Sequence, residues 1–340
     1  MKPTALDLQG SPDGSPRWTR RRAVGALGGL LCAAAGAARA QGYPSKSVTI
    51  IMNFPPGQGA MNTMVRSIAD DATKDLKHPV VVDYRAGAGG NIGAQAVATA
   101  PADGYTLLAA VDTTLTVNPA VYATMPFDAD KSFTPVATLA TFSQLLVVNP
   151  KVLPVKNFAE FVAYAKTKPL HYASAGNGSP GHVATEMLAS TAGLKLEHVP
   201  YKGNAPATQA LLAGDVAIGF LVSSGVLPHV EAGKLVALAS SSVKRSAVLP
   251  NLPTVAEMGY PGFAADFAWV LMAPAGTPEP IVKFSNAQVQ KTLARDDLQP
   301  RLHEWDVVRS TLSPVETGER LRTERKRWAE VVKRAGIQGS

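Results

Sequence analysis

The sequence predicts an α/β protein of two units, each a mainly parallel sheet with helices on both faces. Three observations carry this prediction. Short β-branched runs alternate with stretches of helical spacing along most of the chain. Glycine-rich loops repeatedly join the end of a strand to the start of a helix. Around Leu145–Asn149 the pattern restarts with similar grammar. The length of 340 residues suits about two domains at roughly 150 residues each. With 46% apolar and 17% charged residues, the chain can fill a core, which excludes a disordered or low-complexity protein.

The elements follow in order. Ser47–Phe54 is β-branched and stops at Pro55-Pro56-Gly57, so it reads as a buried strand. Asn62–Leu76 has helical spacing. Pro79–Tyr84 is a second strand, followed by a glycine-rich loop at 87–93, an alanine-rich helix to Ala100 and a third strand at Thr106–Val111. The second unit opens with a strand at Leu145–Val148, a helix capped by Asn157 and a strand at His171–Ser174. Ser179-Pro180 reads as an N-cap followed by proline at the first helical position of a helix through Ala192. Leu196–Val199, Val216–Leu221 and Leu235–Ser240 are strands, with a helix over Pro206–Ala213. Phe267–Ala273 is strand-like, and the remainder reads as helical and free to return to the first unit.

The formal charge of +7 invites a nucleic-acid reading, but its placement argues against one. Residues 1–40 hold six basic residues against two acidic ones, so a surplus of four sits there. The remaining 300 residues carry 27 basic against 24 acidic. Arg20–Arg22 precede an uncharged run from Ala23 to Ala38, and Ala38-Arg39-Ala40 offers small residues for a signal peptidase. Residues 1–40 therefore read as a secretory signal peptide cleaved after Ala40, which sends the protein to the periplasm. Thr19–Arg22 also resembles a twin-arginine signal, although Ala23-Val24 lacks the usual bulky residues, so both export routes stay open. The only cysteine, Cys32, lies in this run. Leu30-Leu31 before it argue against a lipid anchor, and the cleaved protein would contain no thiol.

Several chemistries are disfavoured. Residues 87–93 miss the dinucleotide spacing because Ile92 stands where the third glycine belongs, and Gly57-Gln58-Gly59 lacks the Lys-Ser/Thr of a P-loop. Asn177–Gly181 nearly matches a nucleophile elbow, but Pro180 has no N–H to donate to an oxyanion. His182 and Glu186 share a helix face, yet no third metal ligand is evident, so neither a metal nor a cofactor is expected. Over 315–334, basic and acidic residues interleave at pairing distances, which describes a solvated helix face and not a nucleic-acid surface. The glycine loops suit anions instead, through free backbone N–H groups at helix starts.

From Tyr43 to about Ile337 the chain resembles the extracytoplasmic solute receptors of tripartite tricarboxylate transporters, the Bug family. The first unit carries the resemblance in NFPPG (53–57), RAGAGGNIG (85–93) and PADGYTLL (101–108). The second carries it in YASAGNGSPGH (172–182) and HVPYKG (198–203). AGKL (232–235), LPTVAE (252–257) and APAGTP (273–278) follow. The resemblance implies a two-domain, type II (Venus-flytrap) periplasmic binding protein that is not an enzyme. Its ligand would be a small carboxylate: a di- or tricarboxylate, an acidic amino acid or an aromatic acid. Permease subunits of a tripartite transporter or a sensor domain would be its partner, and the receptor is expected as a monomer. A periplasmic hydrolase on the same scaffold is the enzymatic alternative.

On this reading, domain 1 spans 41–142 with 265–340, and 143–264 is inserted as domain 2. Hinges fall near Thr141–Gln144 and Ala264–Phe267. Gln58, Gly59 and Asn62 would hold one end of the ligand, with Gly89 and Asn91 supporting that wall and Thr113 reaching in. Ser174, Asn177, Gly178 and Ser179 would hold the other end, and Tyr201, Lys202, Gly203 and Asn204 would form a lip. Asp266 would touch the ligand or a bridging water. The alternative for each glycine is turn geometry, and for Tyr201 it is interdomain packing. Family members usually have Gly-Gly-Gly-Thr-Asp in the first loop, whereas here Asn62 takes the Asp place, four before Arg66. Ala210, Ala217 and Leu221 stand where acidic residues are common. Met61 and Leu221, if they face the cleft, favour a more apolar or aromatic acid.

Overall fold

The computed structural model describes residues 42–56 and 59–337. The export signal, Cys32 and Gln58 lie outside them. The order is β1 (Val48–Met52), α1 (Ala60–Leu76), β2 (Val80–Tyr84), α2 (Asn91–Ala98), β3 (Thr106–Val111), α3 (Thr113–Thr116), α4 (Asn118–Val121) and β4 (Phe133–Phe142). It continues with β5 (Gln144–Val148), α5 (Phe158–Ala165), β6 (Leu170–Ser174), α6 (Pro180–Ala192), β7 (Leu196–Pro200), α7 (Asn204–Ala213), β8 (Ile218–Val222), α8 (Ser223–Glu231) and β9 (Val236–Ser240). The chain then forms β10 (Phe267–Pro274), α9 (Glu279–Leu293), α10 (Gln299–Glu304), β11 (Val307–Arg309) and α11 (Pro314–Ala335).

Two sheets result. The first runs β11-β4-β10-β3-β1-β2 and the second β7-β6-β8-β5-β9. Both are mixed, not mainly parallel. β3, β1 and β2 are parallel, as are β7, β6 and β8. β4, β10 and β11 in the first sheet, and β5 and β9 in the second, pair antiparallel.

β4 escapes the sequence pattern because Pro135 interrupts its apolar run. β11 covers only Ala140–Phe142 of this strand, so Pro135 sits where β4 has no outer neighbour to receive an N–H bond. α8 escapes because Gly225 and Pro228 lie inside it. The expected caps do form. Asn157 Oδ1 accepts from Glu160 N–H at 2.9 Å, and Ser179 Oγ accepts from His182 N–H at 3.4 Å. α6 lies so close to β8 that a Cβ at Gly181 would overlap the Phe220 carbonyl oxygen.

The chain passes between the sheets at Ser143 and again between β9 and β10, and one buried serine ties the two passages together. Ser241 Oγ accepts from Gln144 N–H at 2.9 Å and donates to Ala265 O at 2.7 Å. Its backbone completes the clasp, because Ser241 N–H donates to Gln144 O and Ala265 N–H donates to Ser241 O. Ser241→Ala would strand a buried N–H and a buried carbonyl. We expect a loss of about 1–3 kcal/mol, read by urea unfolding; a loss under a few tenths would show that the clasp contributes nothing.

α11 is fixed onto the first sheet by an ion pair. Arg320 Nη1 donates to Asp112 Oδ2 at 2.8 Å, and Asp112 is 1% exposed. Burial pushes the Asp112 carboxyl upward, against the pull of Arg320. Removing one partner leaves an uncompensated buried charge. Arg320→Ala should therefore cost about 3–5 kcal/mol, and Asp112→Asn in the Arg320→Ala background should recover part of it in the same measurement.

Candidate functional site

A cavity of about 400 Å³ opens between the two sheets at the carboxyl ends of β1, β3 and β8, where α/β proteins bind ligands. From the first sheet come Met52, Phe54, Pro55, Pro56, Gly59, Ala60, Met61, Asn62, Val111, Phe142 and Trp269. From the second come Ala175, Pro180, Lys202 to Pro206, Thr208, Gln209, Val222, Ser224, Gly225 and His229.

Four helices begin at this cavity. Gly59 to Asn62 are the N-cap and first turn of α1, and Pro180 is the first residue of α6. Gly203 to Pro206 open α7, and Val222, Ser224 and Gly225 open α8. First-turn N–H groups lack intrahelical acceptors, and each helix start carries about half a positive charge. Lys202 adds a full one, and no Asp or Glu lines the cavity among the described residues. The arrangement attracts an anion. Each helix start contributes about 0.3–1 kcal/mol to it, and each direct N–H bond to a charged group about 1.5–3 kcal/mol.

The expected site residues divide into two groups. Gly59, Asn62, Lys202, Gly203 and Asn204 line the cavity. Tyr84 bridges Asn62 and Arg66: its OH donates to Asn62 Oδ1 and accepts from Arg66 Nε at 3.1 Å. The other described ones lie off the cavity wall. Asn118 Nδ2 donates to Gly89 O at 3.0 Å and to Asn91 Oδ1 at 2.7 Å, and Thr113 is buried in α3. Tyr122 OH donates to Asn177 O at 3.4 Å, which joins this group to the loop before α6. Gly178 lies against Asn118 at φ +72°, leaving no room for a Cβ. Ser174 Oγ bonds His198 Nε2 at 2.6 Å, and Ser179 is spent on its cap. Tyr201 packs on the apolar cluster of the second sheet.

Asp266 and Leu221 lie away from this cavity. Asp266 accepts from Ser242 Oγ at 2.5 Å and from Val243 N–H, and it lines a separate groove beside the chain crossings. Its backbone follows Ala265, whose bonds to Ser241 fix the passage, so its side chain is directed at the 242–243 turn. Leu221 is buried in the core of the second sheet, opposite Leu145, whereas Met61 does face the cavity.

The sequence reading missed Trp269, Phe142 and Val111, which lie in buried strands and look like core. It also missed Thr208, Gln209, Ser224 and His229, whose only signal was position in the first turns of α7 and α8 or one turn beyond.

Beside the cavity, α6 packs a buried column of titratable rings. Tyr172 stacks on His198 at 4.9 Å and His198 on His182 at 4.0 Å. Tyr172 OH donates to Glu186 Oε1 at 2.5 Å, and His182 Nδ1 accepts from Gly178 N–H at 3.1 Å. No group of three His, Cys, Asp or Glu among the described residues could hold a metal. His182 is instead the residue that fixes the loop before its own helix.

With two sheets, two chain crossings and an anion-attracting cavity between them, the fold and site define a two-part solute-binding protein. The signature described as "Tripartite tricarboxylate transporter family receptor" matches residues 64–337, and the chain belongs to that family. It is 35% identical over 316 residues to Protein BugT of Bordetella pertussis, covering 91% of this chain and 96% of that one. Among solved structures, R. palustris Rpa4515 with adipate is 35% identical at a TM-score of 0.82, covering 88% of this chain and all of its own. The periplasmic binding protein BugD is 30% identical at a TM-score of 0.81, with coverage of 88% and 100%.

The ring column makes stability pH-dependent. Burial, aided by the facing His198, pushes His182 down to about 3, and burial pushes His198 down to about 4. Unfolded imidazoles take up protons below about 6.5, so the unfolded state binds more protons in the intervening window. The unfolding free energy should therefore fall as pH drops from 7 to 4. Burial raises the Glu186 carboxyl, which acts in the opposite sense. His182→Asn retains an acceptor for Gly178 N–H but removes one titration, so its loss of stability over that range should be shallower. Parallel curves for the two proteins would sink this account.

Proposed function

We propose that this protein is a non-catalytic periplasmic receptor. It captures a small carboxylate between two lobes, 41–142 with 265–340 and 143–264, and delivers it to the membrane permease subunits of a tripartite transporter. One observation carries the reading: four helix starts and Lys202 converge on a cavity with no acidic side chain among the described residues. Family membership, adipate in Rpa4515 and the periplasmic setting of BugD support it. No helix among the described residues is long and apolar enough to cross a membrane. The hydrolase alternative lacks machinery at Ser179, which caps α6 and is followed by Pro180 without an N–H. Closure bends the chain at the crossings clasped by Ser241, and Tyr122 meets Asn177 across the opening.

Thermal unfolding of the purified protein with a carboxylate panel tests this. A true ligand at 100 times its Kd should add about 2.7 kcal/mol of stability. Calorimetry should show saturable one-to-one binding, with the acid recovered unchanged. Lys202→Ala should weaken binding about tenfold or more, the loss of one charge-assisted bond of about 1.5–3 kcal/mol. Turnover of the bound acid, or no response to any carboxylate, would overturn the reading.

A further inference from the structure

The two walls of the cavity differ in chemistry, and the difference selects among carboxylates. On the first-sheet side the lining side chains are mainly Met52, Phe54, Met61, Val111, Phe142 and Trp269. Phe142 and Trp269 stack on each other at 4.9 Å and 30°, forming a narrow aromatic shelf that is only 6% and 4% exposed. Asn62 is the one polar side chain on that wall among the described residues, and Tyr84 already holds its carbonyl oxygen. Gly57 and Gln58 of the same loop carry no charge. The opposite wall presents Lys202, Asn204, Thr208, Gln209, Ser224 and His229, whose side chains have no protein partner among the described residues. Both basic side chains therefore sit on one wall.

We infer that the ligand is an amphipathic monocarboxylate, an inference that rests on the receptor reading above. Its carboxylate lies on the second-sheet wall, against Lys202 and the starts of α7 and α8. Its aromatic or medium-chain aliphatic body lies on the Trp269–Phe142 shelf. Three exclusions support this assignment. An amino acid would bring an ammonium group into a cavity with no Asp or Glu to pair it. A di- or tricarboxylate would turn its further charges toward Met52, Phe54 and Trp269, where the start of α1 offers partial positive charge but no Lys, Arg or His stands on the wall among the described residues. The first turn of α1 offers backbone N–H groups on that side, which suit a neutral hydroxyl or carbonyl substituent. The volume of about 400 Å³ corresponds to about a dozen waters, enough for a substituted ring.

Calorimetry with phenylacetate, 4-hydroxybenzoate and hexanoate, set against malate, adipate, citrate and glutamate, tests the assignment. At least one of the first three should bind tenfold or more tightly than each of the other four. Trp269→Ala should weaken that acid at least tenfold, with circular dichroism confirming the fold. Should Trp269→Ala not fold, Met61→Lys serves in its place. By adding a cation to the apolar wall, it should improve adipate relative to the monocarboxylate by tenfold or more. If malate, adipate, citrate or glutamate binds more tightly than all three monocarboxylates, the inference falls while the receptor reading stands. If none of the seven binds, the receptor reading falls and takes the inference with it.

Discussion

Everything at the cavity depends on how the chain passes between its two sheets. Each sheet supplies one wall, so the distance between Trp269 and Lys202 is set by the two passages and not by either sheet alone. Ser241 joins those passages with its hydroxyl, its N–H and its carbonyl, all inside the protein. A serine there can both accept and donate, so one small side chain satisfies a buried N–H on one strand and a buried carbonyl on the other. The clasp fixes the crossing point, and the site inherits its geometry.

The electrostatics of the site come chiefly from backbone. Four helix starts face the cavity, yet Lys202 and His229 are the only basic side chains on its wall among the described residues. A net charge count therefore says little about anion affinity: the surplus of basic residues is largely in the first forty positions, while the attraction resides in N–H groups that every sequence possesses. The same economy leaves the first-sheet wall free for apolar side chains. Partial positive charge from α1 and an aromatic shelf from β4 and β10 share one surface, a combination suited to a ligand with both a charged end and a greasy body.

Much of the fold was legible because local rules and tertiary packing agreed. Asn157 and Ser179 cap helices where their side chains predict caps, and β-branched runs such as 48–52 and 80–84 are strands. Where local rules conflicted, legibility failed. Pro135 hid β4, and Gly225 with Pro228 hid α8. The candidate site was half legible. Gly59, Asn62, Lys202, Gly203 and Asn204 stand in glycine loops or the first helical turns after them, a position that announces a ligand. Asp266 stood out as a lone acidic residue in an apolar segment, but its hydrogen bonds turn it to the other side of the crossing. Trp269 and Phe142 gave no signal, because a residue at the end of a buried strand looks the same whether it faces core or cavity.

The sequence by itself determined the alternation of elements, the caps, the glycine loops and the family, since each is written in neighbouring residues. Tertiary structure decided the mixed strand directions, the choice of Asn62 and Lys202 over Asp266 and Leu221 at the cavity, and the division of that cavity into an apolar and a polar wall. The physical reason is range. Caps and turns are fixed by bonds spanning a few residues, whereas a binding wall is assembled by residues such as Met61, Phe142, Lys202 and Trp269. These meet only after two sheets have formed and the chain has crossed between them.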